Sequence, residues 1–557
     1  MKEWNMISIK NIEWNNIYLT ITLLGNNLNK YNFFVSNLID EKYILDLQGN
    51  KIIINIVNFP KVKLLGNDKW YILAERNQMY QFVSIEAASG YKLDNLDKVY
   101  RYGNQKYAYI VTFSVEDYDE KFDKMQNDTR INASDYLNNK SNEQLMIMQM
   151  HTSYMMLNRR EYHRNILIES ASMKQFIKKT LFIFTKRGIQ GIYEILSFFR
   201  KKDGKHILFM SETRVPIGGN LKAVDDRLKQ RGLDKKFKIS YSFSKTLQQS
   251  KWKTLFTWSR LLWLVSKQDY IFVDDYVPIF KTIHLHKNTK LIQLWHAGVG
   301  FKSVGYSRFG KAGSPHPTDS CHRNYDYALV GAKGLIHVYE EVFGIDKDKF
   351  LPFGLPRLDG YMDNERIKSY KKKFYEEYPN FQNKKIIMFA PTYRGTTQKD
   401  AFYPFDKINQ DKLYDVCKEE YIFVYKMHPF IKEKVHIPEK YCDRIFDFST
   451  YGDINSLFYV TDILITDFSS NIYEFALHRK PIIFYAYDKD FYQLTRGVHR
   501  TLDEAPGNVC QTFDEVLDVL KNHSFELNKL EDFIKDSFVL DEGSASDRLI
   551  DTILLKK

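Results

Sequence analysis

The sequence predicts an α/β protein with two Rossmann-type units in tandem, preceded by a small antiparallel β module. Three observations carry that expectation. Short apolar runs recur, each ending in a small polar cluster: LIQLWHAG at 291–298, IIMFAPTYRG at 386–395, YIFVYKMHP at 421–429 and ILITDFSSN at 463–471. Such runs read as buried parallel strands whose ends spill into loops, where open sheets place their ligand-binding groups. Helical patterns separate them, whereas the first 115 residues alternate short β-rich runs with Asn, Gly and Asp turns.

The module, 1–115, contains the runs NIYLTITLLG, KIIINIV, KWYILAE and KYAYIVTFSV and carries no catalytic constellation. Residues 116–204 read as linker and basic helices. Charged, Asn-rich chain fills 116–150. In 173–202 an apolar stripe of Ile177, Leu181, Phe184, Ile192, Ile195 and Phe199 is surrounded by lysines and arginines, against one acid, Glu194. A helix of this kind either lies in the headgroup region of an anionic leaflet or buries its stripe on the protein. Gly188 and Gly191 suggest a break into two short helices.

From 205 to 360 the pattern is strand, loop, helix: HILFMSE, the helix LKAVDDRLKQRG, FKISYSF, the long apolar stretch KWKTLFTWSRLLWLVSKQ, YIFVDD, LIQLWHAG and YDYALVGA. A second unit, 361–557, follows GLPRLDG with KKIIMFAP, YIFVYKMHP, DILITD, a helix over SSNIYEFALH, and PIIFYAY. Two such units enclose a cleft suited to a donor on one wall and an acceptor on the other.

Bulk properties narrow the function. At 557 residues the chain exceeds a single core. Its formal charge of +12 favours a polyanionic partner, and nucleic acid or phospholipid satisfies that alone. Cys321, Cys417, Cys442 and Cys510 are too scattered for a disulfide framework or a zinc site, which fits a reducing compartment. The N-terminus lacks a signal-peptide core, and no run approaches the roughly 20 apolar residues of a membrane span. A protein neither secreted by that route nor integral to a membrane is expected.

The strand ends supply a cationic, donor-rich set. His296, before Ala297 and Gly298, is placed for a neutral imidazole to take a proton from an attacking hydroxyl. Lys426 and His428, two apart on a strand, share a face and suit a diphosphate. Arg394 offers a planar fork for phosphate. Ser469 and Ser470 read as a helix N-cap and equally as an anion site, with Asp467 orienting a hydroxyl or ribose. A solvated or structural reading competes with each of these assignments. Lys302, Arg308 and Lys311 either guide an anionic acceptor or form a surface loop. The chain has no P-loop, no strand-linked GxGxxG, no HExxH and no GxSxG. Asp488-Lys489-Asp490 mimics a metal-binding DxD but reads as surface, so neither metal nor cofactor is expected.

Five stretches, LWHAGVGFKSVGYSR, GLPRLD, FAPTYRG, YKMHPF and ITDFSSNIYEFALHRKPIIFY, resemble in order and spacing the CDP-glycerol glycerophosphotransferase family of teichoic acid primases and polymerases. The resemblance covers about residues 205–535 and is similar above all to long, β-module-bearing polymerases. It implies a GT-B fold and metal-independent transfer of glycerol or ribitol phosphate from a CDP-alditol. The implied acceptor is the terminal hydroxyl of a polyprenyl-diphosphate-linked glycan, met by a peripheral enzyme at the cytoplasmic membrane face, with no nucleic acid involved. It implies His296 as the base, and His428, Arg394, Ser469 and Ser470 as ligands of the donor diphosphate, with Asp467 nearby. WHAGVG, where many relatives have WHG followed by T/S-P-L, looks more like the ribitol-type branch. A GT-B glycosyltransferase using a nucleotide sugar, or a membrane-bound scaffold without activity, are the alternatives.

Overall fold

The computed structural model describes all residues except 1–5, 60–63, 86–92, 103–106, 129, 137–143, 155–172, 245–250, 296–302, 312–313, 317–319, 396–399, 496–501 and 540–542. The chain divides into two compact units, one of residues 1–179, 305–323 and 343–345, the other of 180–304, 324–342 and 346–557.

The first unit is built on a 12-stranded sheet, antiparallel apart from the short pairing of Ser8–Asn15 with Ser84–Ile85. Burial alternates along its strands, as in Tyr18–Leu24, so that Leu19, Ile21 and Leu23 enter the core. The stretch expected to be linker differs from that reading. It carries the helix Tyr118–Gln126, capped by Asp117, and the strand Gln144–Tyr154, which pairs with Tyr107–Asp117 along its whole length. Met and Gln are weak strand formers, yet Met146, Met148 and Met150 are buried in the sheet's core, and that burial decides the conformation.

The same core includes a segment distant in sequence. Tyr306 and Phe309 belong to it, and Phe309 stacks on Tyr100 with ring centroids 5.4 Å apart. Gly310, at φ +83°, lies so close to Tyr100 that a Cβ would meet its ring at 2.9 Å. Arg323 lies over the Tyr306 ring and donates to the Tyr306 hydroxyl, the Val57 carbonyl and Asn58 Oδ1. Arg308 and Lys311, which were candidate acceptor guides, therefore sit in a segment that completes the β module.

The second unit holds two six-stranded parallel sheets. In the first the order is 238–243, 206–211, 270–273, 290–293, 327–329, 350–351; in the second it is 445–447, 421–425, 385–389, 463–466, 482–485, 508–510. The apolar runs form the inner strands, fully buried as parallel strands covered on both faces must be. Both sheets reverse their order near the middle, which opens a crevice at the carboxyl ends of the strands. The architecture is thus α/β and GT-B-like, with the N-terminal β module.

The chain's end returns to the first sheet. Leu549, Ile550, Ile553 and Leu554 share a core with Ile207, Phe209 and Leu221, and Asp547 receives a forked pair of hydrogen bonds from Arg227. Asp359, at the crossover between the sheets, accepts from Ser544 Oγ and the amides of Ala545 and Ser546, which caps this last helix. A division at residue 361 separates the sheets but not the helices that cover them.

Met173–Phe198 is one continuous helix, with Gly188 and Gly191 inside it, not the expected pair. Its packed face is polar and aromatic. The Tyr193 hydroxyl accepts from the His286 amide, and the Gln190 side chain brackets the backbone of His284. The apolar side faces outward, with Phe184 64%, Ile195 63%, Phe198 84% and Phe199 76% exposed. Trp263 is exposed too, under Lys267 Nζ at 3.1 Å and beside Arg200, while Lys202 holds the helices together through the carbonyls of Ser266 and Gln268. Among the described residues no helix is long and apolar enough to cross a membrane.

Candidate active site

The crevice of the second sheet lies where 385–389 meets 463–466, and the loops 390–395 and 467–471 leave from it. Arg394 is the centre of this edge. Its Nε and Nη2 form a fork on Asp488 at 2.6 and 2.8 Å, and Nη1 donates to Asp467 Oδ2 at 2.8 Å and the Thr392 carbonyl at 2.9 Å. Asp467, fully buried, also accepts from the amides of Thr392 and Phe468. Burial pushes its carboxyl up from the usual range, while Arg394 and the Thr392 amide pull the other way. Tyr487 and Tyr492 flank the guanidinium, which is held charged.

This geometry changes the meaning of three sequence assignments. The fork expected to grip phosphate is occupied by Asp488, four of its five N–H groups being engaged. The carboxylate expected to orient ribose is spent on the protein. Asp488, expected to be surface, is the acid that fixes Arg394. Together the three residues set the shape of the loops that carry two of the remaining candidates, Ser469 and Ser470.

Those candidates are His428, Ser469, Ser470 and Lys426. The His428 ring packs against Tyr393 and Phe430, with centroids 4.8 and 4.7 Å away, and its Nδ1 accepts from the Phe430 amide at 3.2 Å. The amide at Nδ1 and the two rings fix the orientation of the imidazole. Ser469 and Ser470 are half-buried, and the turn after them is short: the helix spans only Ile472–Ala476, and Asn471 ties it to the end of the strand by donating to the Ala390 carbonyl. Lys426 is committed elsewhere. Its amine donates to the carbonyls of Ser449, Tyr451 and Gly452 and pins that loop.

In the first sheet the crevice lies at the ends of 206–211 and 270–273. His296 and Lys302 lie outside the described residues. The residue before His296 is described: Trp295 has φ +51°, a left-handed conformation that a bulky side chain rarely adopts. Beside it the crevice is acidic. Asp275 accepts from Ser211 Oγ and the amides of Glu212 and Thr213, and Asp274 pairs with Arg214 at 2.8 Å. Burial and the neighbouring Asp275 push Glu212 up to about 7. Burial also outweighs Arg214 at Asp274, which rises to about 7. The motif YIFVDD ended in these two acids, yet only its apolar half was read.

A cavity of about 750 Å³ lies between the two sheets' domains, lined by Lys222 and Arg227 from one, Arg357 and Asp359 from the crossover, and Arg366 and Asp453 from the other. Arg357 pairs with the buried Glu474 there.

Residues 192–555 match the family model described as CDP-Glycerol:Poly(glycerophosphate) glycerophosphotransferase. The chain belongs to this family. Among relatives in the glycerophosphotransferase family, the teichoic acid ribitol-phosphate polymerase TarL of Staphylococcus aureus is 36% identical over 70% of this chain and 67% of its own length. The teichoic acid poly(ribitol-phosphate) polymerase of Bacillus spizizenii is 36% identical over 65% of this chain and 58% of its own. A teichoic acid glycerol-phosphate primase of Bacillus subtilis is 32% identical over 53% of this chain. The wall teichoic acid polymerase TagF shares the fold, with a TM-score of 0.52 at 21% identity over 70% of this chain and 98% of that one.

Two predictions follow from the buried charges. Arg394→Met leaves Asp467 buried without its cation and destabilises the protein by about 3–5 kcal/mol, read as a lower unfolding midpoint in denaturant. Glu212 has a raised pKa in the folded state, so from about 4.5 to about 7 the folded protein binds more protons there than the unfolded chain. Its contribution to stability is full at the acid end of that window and is lost as pH rises through the folded pKa. Glu212→Gln removes this fall, and Tm measured across the window is flatter in the variant than in the wild type.

Proposed function

We infer that the chain transfers an alditol phosphate from a CDP-alditol to the terminal hydroxyl of a polyprenyl-linked teichoic acid-type acceptor, working as a polymerase with ribitol phosphate as its unit. The observation that carries this reading is the family match across both Rossmann-type domains. Ribitol is favoured because the two ribitol-phosphate polymerases above are each 36% identical, against 32% for the glycerol-phosphate primase.

In this reading the acceptor oxygen attacks the phosphorus that bears the alditol. The new P–O bond forms as the bond to CMP breaks, and CMP leaves with the electron pair. His296 takes the acceptor proton. His428, with Ser469 and Ser470, stabilises the diphosphate as charge builds on it. Arg394, Asp467 and Asp488 act one step back by holding the loop that carries Ser469 and Ser470 and the loop whose Tyr393 packs on His428. The purified protein is expected to release CMP from CDP-ribitol, and not from CDP-glycerol, when given a primed lipid acceptor. Release from CDP-glycerol alone overturns the unit, and release from neither donor overturns the reaction. His296→Ala is expected to lower kcat by about 10²- to 10⁴-fold with the fold intact.

The outward apolar face of 184–199, rimmed by Arg200, Lys201 and Lys267, fits a peripheral seat on an anionic leaflet, where the lipid-linked acceptor resides. Flotation with vesicles of anionic phospholipid is expected to carry the wild type, and a Phe198→Ser, Phe199→Ser double variant is expected to remain unbound. Equal flotation of the two proteins would rule this surface out.

A further inference from the structure

The strained turn at Trp295 is held by a residue that belongs to neither crevice loop. Asn220, 1% exposed, is the second residue of the helix Gly219–Gln230. Its amide nitrogen donates to the Leu294 carbonyl at 2.9 Å and to the Trp295 carbonyl at 2.8 Å. Its Oδ1 accepts from the Arg357 amide at 3.0 Å. Gln293 Oε1 accepts from the Trp295 amide at 2.8 Å and clamps the turn from the other side.

Each bond alone is ordinary, but their convergence is not. Both N–H groups and the carbonyl oxygen of one buried side chain are used, and they join three separate parts of the chain. One is the helix that opens the first domain. Another is the last described residue before His296. The third is the crossover, where the Arg357 side chain continues to Glu474, two residues beyond the start of the helix that follows Ser469 and Ser470. A displacement of the second domain that moves Glu474 and the crossover is therefore felt at Asn220 and, through it, at Trp295. Left-handed φ at a tryptophan persists only where its surroundings fix it, so loss of these donors lets the turn relax.

We propose that Asn220 is a positioning residue that fixes the exit of the strand toward His296 and couples it, through Arg357 and Glu474, to the donor-binding domain. This rests on the reading of His296 as the base. Two variants separate the arms. Asn220→Ala removes all three bonds, while Asn220→Asp keeps the acceptor for the Arg357 amide and loses the paired donation to Leu294 and Trp295.

Hydrogen exchange followed by mass spectrometry, and CMP release from CDP-ribitol and CDP-glycerol, are measured on the full chain. Asn220→Ala is expected to speed exchange in 291–295 and 355–359, to leave 421–425 protected, and to lower kcat by about 10- to 100-fold with KM for the CDP-alditol unchanged. Asn220→Asp is expected to lower kcat equally while 355–359 stays protected. Wild-type kcat in either variant, or unchanged exchange at 291–295 in both, overturns the proposal, as does loss of protection throughout the second sheet, which marks a merely structural role. A wild type that releases no CMP from either donor defeats the transferase reading instead, and the exchange data still decide whether Asn220 links the strand end to the crossover.

Discussion

The crevice edge of the second sheet depends on one buried cation shared between two carboxylates. Arg394 reaches Asp467 at the end of one strand and Asp488 beyond the next, so a single guanidinium joins three loops that the sheet alone would leave independent. Such a group is expensive to desolvate, and it persists because its donors and both acids are almost fully satisfied. What those loops carry inherits its position from that fit, including the Tyr393 ring against which His428 packs and the short turn at Ser469 and Ser470.

The crevice of the first sheet is also rich in acid. Where the second sheet sets Asp467 and Asp488 against Arg394, the first gathers Glu212, Asp274 and Asp275, with Arg214 paired to Asp274. Burial, with the neighbouring Asp275, pushes the carboxyls of Glu212 and Asp274 toward neutrality. The two halves thus share a topology and differ in how their strand ends are neutralised.

Much of this was legible in the sequence, for identifiable reasons. The strands of both Rossmann-type units announced themselves because a parallel strand covered on both faces must be apolar throughout, as YIFVY and ILIT are. Residue type also marked loops that leave the crevice of the second sheet. What it did not mark was allegiance: Arg394 has the chemistry to hold a phosphate, and nothing local shows that an acid 94 positions later takes the fork first. Lys426 misled for the same reason, its carbonyl partners lying 23 to 26 positions away. Gln144–Tyr154 was hidden by its own composition, since methionines adapt to a core without declaring a strand. Asn220 left no trace at all, because an asparagine at the start of a helix reads as an ordinary cap.

The borrowed piece of the β module has a bearing on how this chain tolerates being cut. Because Tyr306, Phe309 and Arg323 find their partners in Tyr100, Val57 and Asn58, a truncation that discards the first 154 positions does not yield a cleaner catalytic core. It strands two aromatic rings and a cation that had been shielded from water, midway between two inner strands of the first sheet. The front end thus includes a later stretch of the chain, and a minimal version of the protein would have to redesign 305–323 as well as remove what precedes it.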